Sequence, residues 1–121
     1  MRRTRQSSDK RLLGRWRSDR ERTMAQWVFP KRVAAAARRR FEDIFGKLVL
    51  RFTPSFVYAE MEGYVTRSRY AVLWSGPDSC VICCEEPEGP AAQHIFFDGD
   101  HYSVRVGQNV EYFRRVPRGT K

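Results

Sequence analysis

Apolar and polar residues alternate with a period of two over most of the chain after Lys47, as they do in strands that bury one face. Turn-forming pairs such as Pro54-Ser55 and Gly76-Pro77 divide this region into short segments. A further short segment with apolar residues, at 12–17, lies nearer the N-terminus. Together the pattern predicts eight strands, at residues 12–17, 47–53, 56–61, 64–75, 80–86, 93–97, 100–106 and 110–116.

The predicted connections are short, except for the one between the first and second strands. Short connections make sequential strands pair antiparallel, so the expected topology is a meander. Closing the sheet into a barrel removes the exposed edges that an open sheet of eight strands would leave. The predicted fold is mainly β (α+β), with about eight antiparallel strands forming a barrel and two helices inserted after the first strand.

The long first connection carries two patterns typical of helices. Ser18 and Glu21 have the spacing of a capping box, which predicts a short helix over about 19–28. A second apolar stripe with helical spacing runs over about 31–45, and Gly46 follows it where a helix C-terminus favours glycine. Both helices are therefore expected to lie beside or over the barrel.

Positive charge is concentrated near the N-terminus of this chain, whose formal net charge is +9. Fourteen of the 23 Lys and Arg residues fall within the first 40 positions, against three Asp and Glu. This asymmetry fits the binding of nucleic acid or another anionic partner, and it equally fits a solvated tail and solvated helix faces. The arginines that would form an anion-binding surface are Arg15, Arg17, Arg38, Arg39 and Arg40.

Segment composition and cysteine usage bear on domain organisation and compartment. We expect a disordered basic arm at 1–11, a single domain at 12–117 and a flexible tail at 118–121. No apolar run approaches the ~20 residues of a transmembrane helix, and no apolar segment follows the basic start to form a secretory signal. Cys80, Cys83 and Cys84 share one predicted strand and lack a second Cys or His pair. This arrangement argues against disulfides and zinc and favours a reducing, cytoplasmic location.

Residues at the two ends of the predicted domain resemble a known family. Gly14 and Trp16 lie on the first strand, and Arg114 and Arg115 lie on the last. The pattern resembles lipocalin-like (calycin-type) small barrels and is similar to bacterial proteins loosely described as lipocalin-like. The resemblance implies that the tryptophan closes one end of the barrel with one of the two arginines packed across it. These four residues would then be structural, not catalytic.

Asp98-Gly99 is the clearest hairpin signal, because both residues tolerate the positive φ of a type I′ turn. That turn would make His94 and His101 diagonal neighbours on one face, about 7–8 Å apart. Two imidazoles at this spacing are candidates for a metal site, but the spacing supplies no third ligand. The alternative is a solvated polar face, and we predict no metal or cofactor.

Aromatic residues are numerous on the predicted strands, which indicates an interior able to hold a small ligand. A fully packed core is the alternative, since side chains can fill a barrel of eight strands. No nucleophile-elbow or phosphate-loop motif occurs, so the sequence favours a binding or structural role over an enzyme. We expect a small apolar or amphipathic ligand. The candidate pocket residues are Arg51, Tyr58, Tyr70, Trp74, Tyr102, Arg105 and Tyr112.

Overall fold

Eight antiparallel strands close into a barrel in the order in which they occur along the chain. The computed structural model describes residues 8–118. Its elements are β1 (Gly14–Ser18), α1 (Arg20–Met24), α2 (Ala35–Ile44), β2 (Val49–Phe52), β3 (Phe56–Met61), β4 (Tyr64–Ser75), β5 (Ser79–Glu86), β6 (Gly89–Asp98), β7 (His101–Val106) and β8 (Asn109–Arg115). Pairing of β1 with β8 completes the ring. The predicted mainly β meander with two helices after the first strand is confirmed.

The barrel has one filled end and one end that faces the helices. The filled end is formed where β1, β3, β5 and β7 begin, and its largest buried side chains include Trp16, Leu12 and Tyr102. The opposite end, here called the mouth, lies where β3 ends and β4 begins. The two helices follow β1 at this same end, because β1 runs from the filled end to the mouth.

The segment just before β1 plugs the filled end. Asp9 is buried, and its carboxylate accepts hydrogen bonds from Arg11 and from the Ser75 hydroxyl. The Arg11 guanidinium also lies 4.5 Å from the centre of the Phe97 ring. Residues 8–11, assigned to the arm on sequence grounds, thus pack against the barrel. The rest of that arm and residues 119–121 of the tail lie outside the described residues.

Both helices are shorter than their sequence patterns predicted. Asp19, not Ser18, caps α1, since its Oδ1 accepts a hydrogen bond from the Arg22 amide at 3.1 Å. After α1 the chain leaves the helical conformation, and the side chain of Asn109 bonds both the N–H and the C=O of Val28, at 2.8 and 3.2 Å. These bonds hold the linker against the turn between β7 and β8. Helical hydrogen bonding over 25–34 would compete with this attachment.

The hairpin between β6 and β7 differs in register from the sequence prediction. Asp98 pairs with His101, so the turn residues are Gly99 and Asp100. Gly99 takes the first turn position with a φ of 59°, which is where a type II′ turn requires glycine. A type I′ turn would have forced positive φ on Asp98 as well. The predicted diagonal contact between the two histidines is therefore wrong.

Candidate functional site

The filled end is held by a contact between the first and last strands. The Arg115 guanidinium lies 4.1 Å from the centre of the Trp16 ring, and its Nη1 donates to the Leu13 carbonyl at 2.8 Å. A side chain at Gly14 would bring a Cβ within 2.8 Å of that Nη1, and the φ of 113° there also favours glycine. Arg114 instead points outward and is exposed. These contacts join the two strands at this end, and a smaller concavity of about 350 Å³ lies on their outer side between Leu13 and Arg118.

A concave pocket of about 590 Å³ lies at the mouth. Its floor and wall come from the inner face of β3 and β4 and from the residues just before β2, while α2 covers one side. Leu48 packs against the barrel core, so the pocket floor is continuous with that core. This volume is within the range of sites that hold small organic molecules. The pocket residues are Arg40, Asp43, Ile44, Lys47, Leu48, Ala59, Met61, Glu62, Tyr64 and Thr66.

Charged groups surround this apolar floor, and all but one of them are paired. Lys47 Nζ lies 2.9 Å from Glu62 Oε1, and this neighbour raises the pKa of Lys47. Asp43 lies 3.7 Å from Arg20. The side chain of Arg40 makes no ion pair or hydrogen bond with any residue in the described part of the chain. The rim of the pocket therefore carries a guanidinium group without a side-chain partner among the described residues, beside an apolar surface.

The cover over the mouth is held mainly by its own aromatic cluster. The rings of Trp27, Phe29, Phe41 and Phe45 contact one another with centroids 5.1–5.6 Å apart. None of the residues of α2 is buried. A second concavity of about 660 Å³ is lined by the linker and by the turn between β7 and β8. Because few contacts fix α2 to the strands, this helix is the part of the mouth most able to move.

Glu111 is a chemically distinctive residue that the sequence analysis missed. It lies on β8, opposite Val104 of β7 and two positions before the buried Phe113. Its side chain therefore faces the barrel interior. Its carboxyl group has no hydrogen bond or ion pair with the described residues. Burial raises the pKa of this carboxyl to about 7. The only sequence signal was an acidic residue at an inward position of the alternating pattern.

Two of the predicted pocket residues lie inside the barrel, where they fill it. The Tyr70 hydroxyl donates to the Thr53 carbonyl at 2.6 Å, and burial raises its pKa to about 12. Tyr102 stacks on Phe113 with centroids 4.9 Å apart and meets Trp16 edge-on at 4.8 Å. Burial raises the pKa of Tyr102 as well. Both tyrosines are parts of the packed core below the mouth.

The other five predicted pocket residues lie on the outer surface. Arg51 and Tyr58 stack on each other, with 4.1 Å between the guanidinium and the ring centre. Tyr112 lies beneath an arginine of α1, and Arg105 is exposed. Trp74 is 52% exposed because a β-bulge after Val72 turns it outward. The structure thus does not bring the seven residues together.

The histidines and cysteines have separate local partners. His101 Nε2 lies 3.1 Å from Asp19 Oδ2, whereas His94 bonds Ser79 Oγ at 3.0 Å. No group of three His, Cys, Asp or Glu residues within 8–118 is placed to hold a metal ion. Cys80 and Cys84 are buried free thiols, and burial raises the pKa of each to about 11. Such thiols stay protonated and are poor nucleophiles near neutral pH.

The arginines predicted to bind anions fall into two groups. Arg15 and Arg17 lie on β1 with outward orientation, and Arg38, Arg39 and Arg40 lie on α2 at the mouth. Arg38 stacks on Phe29 at 4.6 Å, which places its charge over the aromatic cluster. Among the described residues, no helix is both long and apolar enough to cross a membrane.

Comparisons of the chain with protein-family models, with curated proteins and with solved structures found no match. The functional assignment therefore rests on the residues and geometry described above.

Proposed function

We propose that this protein is a lipocalin-like binding protein that holds a small amphipathic ligand at the barrel mouth. The observation that carries the proposal is the pocket of about 590 Å³ between α2 and the inner face of β3 and β4. Its apolar floor at Leu48, Ala59 and Met61 suits the hydrophobic part of a ligand. Arg40 at the rim, whose side chain has no partner within residues 8–118, suits an anionic end group. The proposed role is non-enzymatic.

A pair of fluorescent probes tests both parts of this proposal. The anionic probe 1-anilinonaphthalene-8-sulfonate and its uncharged analogue N-phenyl-1-naphthylamine share an aromatic body and differ in the sulfonate. Both should bind with blue-shifted, enhanced emission. Arg40→Gln should weaken the anionic probe about fivefold, the loss expected for one charge-assisted contact at an exposed rim, and leave the uncharged probe unchanged. An equal loss of affinity for the two probes would show that Arg40 does not bind the anionic group.

A pocket-filling substitution tests the location. Ala59→Phe adds a ring on the inner wall, whereas Ala92→Phe makes the same change at an exposed position of β6. Ala59→Phe should lower the affinity for both probes at least about tenfold, because the added ring takes up volume that the probe needs. The second should bind them as wild type does. If Ala59→Phe perturbs the fold, Ile44→Asn on α2 tests the same pocket without changing the barrel wall.

A further inference from the structure

A row of charged and aromatic side chains crosses the outer face of four strands, away from the mouth pocket. Arg15 pairs with Arg51, Arg51 with Tyr58, and Tyr58 with Arg67, in successive strands β1 to β4. Neighbouring strands are about 4.8 Å apart, so this row extends over about 14 Å. The next row toward the filled end adds Phe56 opposite Arg69. We name these six residues the outer arginine–aromatic face.

Three of the four guanidinium groups on this face stack on rings, a contact that uses none of their N–H donors. The Arg51 guanidinium is 4.1 Å from the centre of Tyr58, and Arg67 and Arg69 lie 4.5 and 4.9 Å from the centre of Phe56. A cation–π contact orients the planar group without using its hydrogen bonds. The side chains of Arg51 and Arg67 make no hydrogen bond or ion pair with other described residues. The donors are therefore pre-positioned for an external acceptor.

Opposing negative charge on this surface is sparse. Arg69 has only a long contact of 3.9 Å with Glu85, between two largely exposed side chains. Glu60 is the acidic residue that shares the outer side of β3. Four arginines of the face thus outnumber the acids beside them. A surface of this kind favours a partner that carries several negative charges.

The chemistry of the face selects one class of polyanion. Phosphates can accept hydrogen bonds from the guanidinium edges, while unstacked bases can lie on the outer planes of the guanidinium groups. A duplex keeps its bases stacked inside and could use only the charges. A lipid surface favours aromatic rings that insert, and here guanidinium groups cover Phe56 and Tyr58. We propose that the outer arginine–aromatic face binds single-stranded nucleic acid, a role beyond the ligand binding proposed for the mouth.

The test is fluorescence anisotropy with the full chain and a labelled oligouridylate of about 12 nucleotides, a length suited to a small barrel. Arg51→Gln/Arg67→Gln removes two of the proposed phosphate contacts. This variant should bind about tenfold more weakly, and the slope of log affinity against log salt should decrease in magnitude by about 1.4. Arg38→Gln/Arg39→Gln removes the same charge from α2 and should bind as wild type does.

A second variant separates stacking from charge. Arg51→Lys/Arg67→Lys keeps both charges and the exposed stems, so it should fold, yet it loses the planar groups that bases stack on. It should bind several-fold more weakly than wild type with nearly the same salt slope. Melting curves followed by circular dichroism establish that each variant is folded. If the glutamine variant is unfolded, the lysine variant decides the question.

Several results would overturn the proposal. The first is an absence of oligouridylate binding by wild type at low salt. The second is an equal loss of binding in Arg38→Gln/Arg39→Gln and in Arg51→Gln/Arg67→Gln. That result would place binding on α2. Equal or tighter binding of an RNA duplex of the same length, or competition by phosphatidylglycerol vesicles but not by unlabelled oligouridylate, would show that the face recognises charge alone. The mouth variant Ala59→Phe should leave oligouridylate binding unchanged, so the two proposals can fail separately.

Discussion

Replacing Arg115 with alanine should destabilise the barrel, because this side chain joins the last strand to the segment before the first. It donates to the carbonyls of Leu13 and Arg11 and stacks on Trp16 at 4.1 Å. A hydrogen bond from a charged donor contributes about 1.5–3 kcal/mol, and a cation–π contact about 0.5–2 kcal/mol. Because the site is half-buried and water can replace part of these contacts, we expect a loss of about 3 kcal/mol in the free energy of unfolding.

Urea unfolding followed by tryptophan fluorescence measures this loss, and a thermal melt should show a decrease of about 10–15 °C. Arg114→Ala is the matched control, since it removes the same side chain from the neighbouring exposed position. It should change stability by less than about 0.5 kcal/mol. Arg115→Lys keeps the charge but cannot reproduce both hydrogen bonds and the stacked plane, so it should fall between the two. Equal stability of Arg115→Ala and Arg114→Ala would refute the claim that Arg115 holds the last strand to the segment before β1.

Three further predictions concern the interior and the turns. Glu111 has its pKa raised to about 7 from 4.5, so the folded state binds the extra proton and stability should decrease as pH rises from about 4.5 to 7. That loss amounts to about 3 kcal/mol, and urea midpoints measured across this range should show it in wild type but not in Glu111→Gln. Tyr70→Phe leaves the Thr53 carbonyl without its 2.6 Å donor and should cost about 1 kcal/mol in urea unfolding, whereas Tyr58→Phe, on the outer surface, should cost nothing measurable. Gly14→Ala should lower the melting temperature by several degrees, because it combines positive φ with a contact to Arg115, and Gly63→Ala, at positive φ in open space, should cost less.

Alternation and turn signals were sufficient to predict the strand order and the barrel. Period-two patterns specify which residues share a face, and short connections leave few ways to pair the strands. The patterns were less informative about local irregularities. The bulge after Val72 reverses the orientation of Trp74, and nothing in the surrounding residues marks its position. Candidate pocket residues chosen by residue type therefore lay on both sides of the sheet.

The hairpin shows how a small difference in turn type changes a site prediction. Asp98-Gly99 and Gly99-Asp100 are both acceptable turn pairs, and only the second places positive φ on glycine alone. The shift preserves the face on which each side chain lies but moves His101 two positions along its partner strand. A proposed pair of metal ligands depends on such distances. The face of each side chain in this hairpin was therefore predictable from the sequence, while the distance between the two histidines was not.

The site at the mouth depends on tertiary contacts that the sequence did not indicate. Its pocket residues come from α2, from the residues just before β2, and from β3, β4 and the turn between them, and their role follows from where α2 lies. The position of α2 depends on the aromatic cluster and on the bonds between Val28 and Asn109, which are far apart in sequence. On sequence grounds, Arg40 could not be distinguished from its neighbours Arg38 and Arg39. Its distinction is that it lies beside an apolar pocket without a partner among the described residues.

The location of bound ligand tests the central claim most directly. Titration of isotope-labelled protein with 1-anilinonaphthalene-8-sulfonate, followed by two-dimensional amide NMR, reports the contact surface residue by residue. The largest shifts should fall at residues 40–48 and 59–66, around the mouth pocket. Shifts centred instead on the segment before β1, or on the concavity beside Asn109, would contradict a binding site beneath α2.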